Sequence, residues 1–260
     1  MIAACSDNWP VAVVTGGSGG IGLATVERLL DAGWRVGIFS QQGDRVEAAV
    51  AALAERGFSD RVHGETVDLR DAGQIASFFS DLEGRWGEVT ALVCNAGFSP
   101  KGPNGRVAIA DIDPQEWDDV LRVNLTGAFH CCRAVLPGMV RRGIGRIVLI
   151  GSVAGRTLPR IAGASYVASK GALAGFARSI VSEYGGQGVT ANTVCPGRIL
   201  SEMTGSPDTP GNRAALERIP IGRLGHPDDV SRVVEFLVRR ESDFINGAII
   251  DVNGGEFVAP

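Results

Sequence analysis

The sequence predicts an α/β protein: a single domain with a doubly wound, mostly parallel sheet of about seven strands and helices on both faces. Three observations carry this. Short apolar runs alternate with amphipathic helical runs from residue 10 to residue 255. The apolar runs show little alternation between polar and apolar faces, which suits strands covered on both sides. No linker or internal repeat is long enough to divide the 260 residues, so one unit over 1–260 is expected.

The elements follow in order. Residues 10–15 (PVAVVT) read as a short buried strand ended by the glycine run 16–22. Residues 21–32 have helical apolar spacing and stop at Gly33. A strand over 34–40 and a helix over 44–56, closed by Gly57, come next. Then follow a strand over 61–69, a helix over 71–86 and a strand over 89–97 that breaks into a glycine- and proline-containing stretch, 98–113. A long helical segment over about 114–142 starts after Asp113, with Pro114 in its first turn. A strand over 145–155 runs into a loop, and a helix over 165–184 precedes a strand and turn over 188–197. A helix over 226–240 and a strand over 247–255 end the pattern. The segment 198–219 is expected to be a mobile substrate loop.

Composition removes several classes of function. The net charge is −4, so the basic face that phosphate backbones require is not expected, nor is a nucleic-acid partner. No run of 18 apolar residues suggests a membrane span. The first basic residue is Arg28, so the charged start of a signal peptide is not read. Five cysteines (Cys5, Cys94, Cys131, Cys132, Cys195) and three scattered histidines show no metal spacing and no even disulfide framework. A cytoplasmic location is expected. Glycine is in surplus, 36 residues or about twice the average share. Lysine and tyrosine are scarce, with Lys101, Lys170, Tyr166 and Tyr184 only.

Five of the glycines fall in one loop, Thr15-Gly16-Gly17-Ser18-Gly19-Gly20-Ile21-Gly22, between the first strand and the first helix. The plain reading is a flexible turn. Its place after strand one of an alternating fold favours a pyrophosphate cradle at a helix N-terminus. An acid at the end of strand two would bind a ribose 2′-hydroxyl. Here that position is Ser40, followed by Gln41, Gln42, Gly43, Asp44 and Arg45. Ser40, Gln41 and Arg45 are candidate donors to a 2′-phosphate, which favours NADP(H) and leaves NAD(H) possible. Arg45 reads equally as a residue of a solvated helix. Asp68 is placed either to accept from an adenine amino group or to cap a helix.

Tyr166 lies four residues before Lys170, and a chance pairing of two such scarce residues is expected about 0.015 times in a chain of this length. On a helix the two share a face. The ammonium is then expected to lower the phenol pKa toward neutrality and make Tyr166 a general acid or base. The alternative is an exposed surface pair. Ser152 follows an apolar strand, 14 residues before Tyr166, where a hydroxyl can bond a substrate oxygen. Asn124 is polar within an apolar helical stretch, so its amide needs partners, either backbone or a water connected to Lys170.

Together, Thr15–Gly22, Asn95-Ala96-Gly97, Asn124, Ser152, Tyr166-x-x-x-Lys170 and Pro196-Gly197 resemble the short-chain dehydrogenase/reductase family, in its order and over nearly the whole chain. Residues 222–230 and 245–255 resemble its 3-oxoacyl-(acyl carrier protein) reductase branch. The resemblance implies a Rossmann fold and an NAD(P)(H)-dependent exchange between a ketone and a secondary alcohol. Tyr166 would pass the proton, Lys170 would lower its pKa and bond the nicotinamide ribose, Ser152 would orient the carbonyl, and Asn124 would hold a relay water. Gly16, Ser18, Gly20, Ile21 and Gly22 would surround the pyrophosphate. Asp68, Leu69, Asn95, Ala96, Gly97, Pro196, Gly197, Ile199 and Ser201 would line the rest of the cofactor cleft. A homotetramer packed through segments 114–142 and 165–184 and the last strand is also implied. The alternatives are an NAD-linked dehydrogenase of a sugar, polyol or hydroxy acid, and a catalytically silent dinucleotide sensor. Three departures stand out: Cys94 before Asn95, Ser201 in place of a threonine, and Arg198 directly after Pro196-Gly197. With Arg156 and Arg160, Arg198 either meets an anionic substrate or is an exposed arginine.

Overall fold

A computed structural model describes residues 10–102 and 105–259; Cys5 and the ends of the 1–260 unit lie outside these. Seven strands form one sheet: β1 (Val11–Thr15), β2 (Arg35–Ser40), β3 (Val62–Thr66), β4 (Ala91–Cys94), β5 (Gly145–Ile150), β6 (Val189–Pro196) and β7 (Ile249–Val252). Their order is β3-β2-β1-β4-β5-β6-β7, and every pairing is parallel. Parallel neighbours need crossovers, and helices supply them. These are α1 (Gly20–Asp31), α2 (Gly43–Leu53), α3 (Ala72–Trp86), α4 (Pro114–Leu121), α5 (Gly127–Arg142), α6 (Ala164–Tyr184), α7 (Pro210–Leu216) and α8 (Pro227–Val238).

All five residues of β1 are buried. Val11 and Val13 pack into one core with Phe78, Val135 and Leu173, from α3, α5 and α6. Ala12 and Val14 pack into the other with Val26, Val46 and Val234, from α1, α2 and α8. The continuous apolar runs of the sequence thus reflect a sheet with a helical layer on each face. The edge strands β3 and β7 are only partly buried, and there polar residues enter the runs. No helix among the described residues is long and apolar enough to cross a membrane.

Several ends lie where local chemistry puts them. Asp71 caps α3 by accepting from the N–H groups of Gly73 and Gln74, and Asp113 caps α4 ahead of Pro114. The structure adds two features that the sequence did not show. The segment 114–142 is interrupted by a π-helical turn over Arg122–Thr126, whose extra residue shifts the helix face at Asn124. The 198–219 segment contains α7, capped by Thr209 with Pro210 in the first turn. Gly205, Pro207, Pro210 and Gly211 obscured it, although Thr-Pro is itself a helix start signal.

Candidate active site

The chain runs outward from β1 to β3, then returns to β4 on the other side of β1. At such a switch point the loops leaving the C-terminal strand ends diverge and open a crevice. A cleft of about 1280 Å³ lies there. Across the switch point, the Thr15 hydroxyl accepts from the N–H groups of Asn95 (3.0 Å) and Ala96 (2.9 Å). The Asn95 amide donates back to the carbonyls of Thr15 (3.0 Å) and Gly16 (3.2 Å). Asn95 therefore fastens the two strand ends together as well as lining the cleft. Thr15, which the sequence reading placed in the glycine loop without a role of its own, is the partner that makes this tie.

The glycine loop divides by function. Gly16 sits at φ +64°, and a Cβ there would lie 3.1 Å from Ala96 Cα. A Cβ on buried Gly22 would lie 2.1 Å from the Gly16 carbonyl oxygen, so α1 can start this close to the loop only with glycine. Gly16, Gly19 and Gly20 border the cleft with Ile21. No side chain caps the first turn of α1, whose N-cap is Gly19. Its N–H groups and the positive end of its dipole are therefore available to an anion, and a dinucleotide pyrophosphate fits that requirement. Ser18 and Gly22 stand behind this wall and do not line it.

Ser40, Gln41, Arg45, Asp68 and Leu69 line the far side of the cleft. The Ser40 hydroxyl accepts from the Gln42 N–H at 3.3 Å, and Arg45 pairs with Glu202 of the 198–219 segment. Asp68 does not cap α3, a place taken by Asp71. It binds Arg70 through side chain and backbone, and the Arg70 guanidinium holds the Asp68 carboxyl below its ordinary value.

On the other side, Tyr166 and Lys170 lie on α6 and share a face, as their spacing predicts. Lys170 is buried, its Nζ donates to the Ile150 carbonyl at 2.7 Å, and it sits 5.9 Å from the centre of the Tyr166 ring. Burial pushes the Lys170 ammonium down to about 8. Burial also raises the Tyr166 phenol above its ordinary value, an effect that a hydrogen bond with Ser152 opposes. This corrects the expectation that Lys170 lowers Tyr166 toward neutrality. The ammonium is aimed at the Ile150 carbonyl, not at the phenol, and desolvation dominates.

Ser152 follows β5 and starts a short 3-10 turn, Val153–Gly155. A Cβ on Gly155 would lie 2.7 Å from the Gly171 nitrogen, so this loop rests directly on the backbone that carries Lys170. That contact holds Ser152 to Tyr166. Asn124 is buried outside the cleft wall, and its amide is well occupied. It accepts from the Phe98 N–H and donates to the Phe98 carbonyl and to the Ser169 hydroxyl, each at 3.0 Å. Ser169 in turn donates to the Tyr166 carbonyl at 2.7 Å. Asn124 Oδ1 keeps one free lone pair. Both it and Lys170 Nζ face Gly97, where a Cβ would lie 3.0 and 3.1 Å from them. Ser169, between two residues already singled out, is a further partner that sequence reading missed.

Pro196, Gly197, Ile199 and Ser201 complete the wall after β6. A Cβ on Gly197 would lie 2.6 Å from Asn253 Cβ, so this turn packs on the end of β7. Arg156 is not free for a ligand, being paired with Asp251 and stacked 5.2 Å from the centre of the Phe257 ring.

Comparison with known proteins agrees with this geometry. Residues 10–210 match the short chain dehydrogenase family. The chain is 36% identical over 252 residues to 2-(S)-hydroxypropyl-CoM dehydrogenase 3 of Xanthobacter autotrophicus, covering 94% of this chain and 95% of that one. It is 34% identical over 248 residues to the 3-oxoacyl-(acyl-carrier-protein) reductase of Vibrio cholerae, covering 95% and 97%. A solved 3-oxoacyl-(acyl-carrier protein) reductase with bound NAD from Brucella melitensis superposes with a TM-score of 0.90 at 32% identity, over 98% of this chain and 93% of that one. By fold, site and sequence the chain belongs to the short-chain dehydrogenase family and is an oxidoreductase of the CH–OH/C=O class.

Proposed function

We propose that the protein is an NADPH-dependent reductase of a 3-oxoacyl-thioester-type carbonyl, using Tyr166 as the proton donor. One observation carries the reading: a phenol and the Ser152 hydroxyl in the wall of one dinucleotide-sized cleft, backed by a buried ammonium. The cofactor supplies the hydride. Ser152 orients the substrate oxygen, and Tyr166 hands it a proton as it becomes an alkoxide. The raised phenol pKa keeps that proton in place at neutral pH, which favours the reducing direction. Lys170 places positive charge beside the developing anion, and Asn124 and Ser169 hold the Tyr166 turn of α6 against the Gly97 loop. Closing over substrate falls to the 198–219 segment, whose exposed ties are Arg45 to Glu202 and Lys101 to the Met203 carbonyl.

NADP(H) is favoured because the end of β2 carries no carboxylate against a 2′-phosphate, while Ser40, Gln41 and Arg45 border the cleft there. Arg45 must leave Glu202 to reach the phosphate, and an exposed ion pair is worth only about 0–1 kcal/mol. Titration with NADPH and NADH is expected to give the lower dissociation constant for NADPH; a clear NADH preference overturns the choice. A panel of 3-oxoacyl thioesters, quinones and sugar ketones tests the substrate class, with the thioesters expected to lead. A location in the cytoplasm and a homotetramer complete the proposal. Half-exposed Trp117 and Phe129, on the 114–142 segment, support an interface there.

The pH profile has a definite sign. Reduction needs the phenol protonated and the ammonium charged, and rising pH removes both. Lys170 titrates first, at about 8. Reductive kcat/KM is expected to be level below pH 8 and to fall above it. A profile that rises through this range excludes the assignment.

A further inference from the structure

Among the described residues the cleft is lined by five arginines, and three of them are already neutralised: Arg45 by Glu202, Arg70 by Asp68 and Arg218 by Glu256. Arg160 and Arg198 have no carboxylate partner among the described residues. Arg160 is exposed. Arg198 is half-buried, directly after the Pro196-Gly197 turn that borders the cofactor cleft.

Its surroundings orient it without cancelling its charge. Nε donates to Asn212 Oδ1 at 2.6 Å. Asn212 is fully buried and donates to the carbonyls of Thr204 (3.1 Å) and Ser206 (2.6 Å), so it cannot swing away. An amide fixes the guanidinium, whereas a carboxylate would also neutralise it. The two Nη groups are left as a planar fork, with glycine at position 211 leaving open space beside Nη2, 3.5 Å from where a Cβ would stand. Burial lowers the Arg198 pKa, but a guanidinium stays charged throughout the working range. A half-buried cation without a counter-ion is unfavourable unless something else supplies the negative charge.

We infer that Arg198 is the anion subsite of the substrate pocket, so the compound reduced at Tyr166 carries a carboxylate, sulfonate or phosphate away from its reacting carbonyl. The guanidinium fork is matched to such oxyanions. This rests on the reading that Tyr166 performs ketone–alcohol exchange, and it narrows the substrate of that same site. Glu256 moderates the field but is committed to Arg218 at 3.0 Å.

The test compares 4-oxopentanoate, 5-oxohexanoate and 4-oxopentane-1-sulfonate with uncharged methyl esters of the two acids. In the wild-type protein the anions are expected to exceed the esters in kcat/KM by about tenfold or more, mainly through KM. Arg198→Gln is expected to bring the ratio close to one, and Arg198→Lys to leave it intermediate. A wild-type protein that reduces acids and esters alike overturns the inference without any variant being needed. So does an Arg198→Gln protein that keeps the preference. If no ketone is turned over with either cofactor, the reductase reading fails instead. The subsite is then decided by calorimetric titration of 5-oxohexanoate and its methyl ester into the protein with NADP+ present. Tighter binding of the acid, lost in Arg198→Gln, upholds the subsite, and equal binding of the two sinks it.

Discussion

Replacing Tyr166 by Phe is expected to lower kcat roughly 10²–10⁴-fold, the range for losing a positioned general acid. The dissociation constant of the cofactor is expected to stay within about twofold, because the change removes one hydroxyl and leaves the ring packed. Steady-state kinetics and a fluorescence titration on the same sample check both halves. Turnover that survives in Tyr166→Phe removes the phenol from the mechanism. Intact cofactor binding with lost turnover separates an enzyme from a silent dinucleotide sensor, since a sensor has no use for the hydroxyl. Ser152 sharpens the expectation: it lines the same cleft wall as the phenol, so its own loss is expected to be smaller and to act on kcat through substrate orientation.

The second large effect is structural. A methyl group added at Gly22 would lie 2.1 Å from the Gly16 carbonyl oxygen and 2.6 Å from the Asn95 side-chain nitrogen. The first of these is backbone and cannot rotate out of the way. Gly16 is itself held against Ala96, and Asn95 is bonded to Thr15 and Gly16. Gly22→Ala is therefore expected to cost about 1–3 kcal/mol. In a domain of this size that corresponds to a fall in Tm of roughly 2–12 °C. Cofactor affinity is expected to fall with it, because the displaced carbonyl belongs to the glycine loop that borders the cleft at the start of α1. Gly19→Ala is the control. Its φ is −172°, ordinary extended backbone, and a Cβ there meets nothing within 4 Å. Thermal melts of the cofactor-free proteins should show Gly22→Ala well below wild type and Gly19→Ala close to it. Equal Tm values for all three refute the close approach.

Much of this was legible in the chain. The alternation of apolar and amphipathic runs, the glycine loop after β1 and the Tyr166–Lys170 spacing are local, and local patterns survive folding because they determine which face of each element is apolar. What failed was local in appearance but tertiary in cause. The 114–142 helix reads as continuous because a π-turn changes no residue's propensity; it turns the helix at Asn124 toward Phe98 and Ser169. Asp68 reads equally as a cap or as a cleft residue, and only the fold separates the two: Asp71 takes the cap, while Asp68 lines the cleft and binds Arg70. The three arginines 156, 160 and 198 look equivalent in the chain.

The sequence by itself determined the doubly wound sheet, the glycine loop at the start of α1 and the shared helix face of Tyr166 and Lys170. Each of these follows from spacing along one strand, turn or helix. Only the tertiary structure decided which charges are already cancelled. Asp251 reaches Arg156 from the last strand, and Glu256 reaches Arg218 from the segment beyond it. Arg198 receives only the neutral amide of Asn212. Likewise, desolvation by the surrounding fold raises the Tyr166 pKa and lowers that of Lys170. Burial and ion pairing depend on residues far apart in the chain, and no local pattern records them.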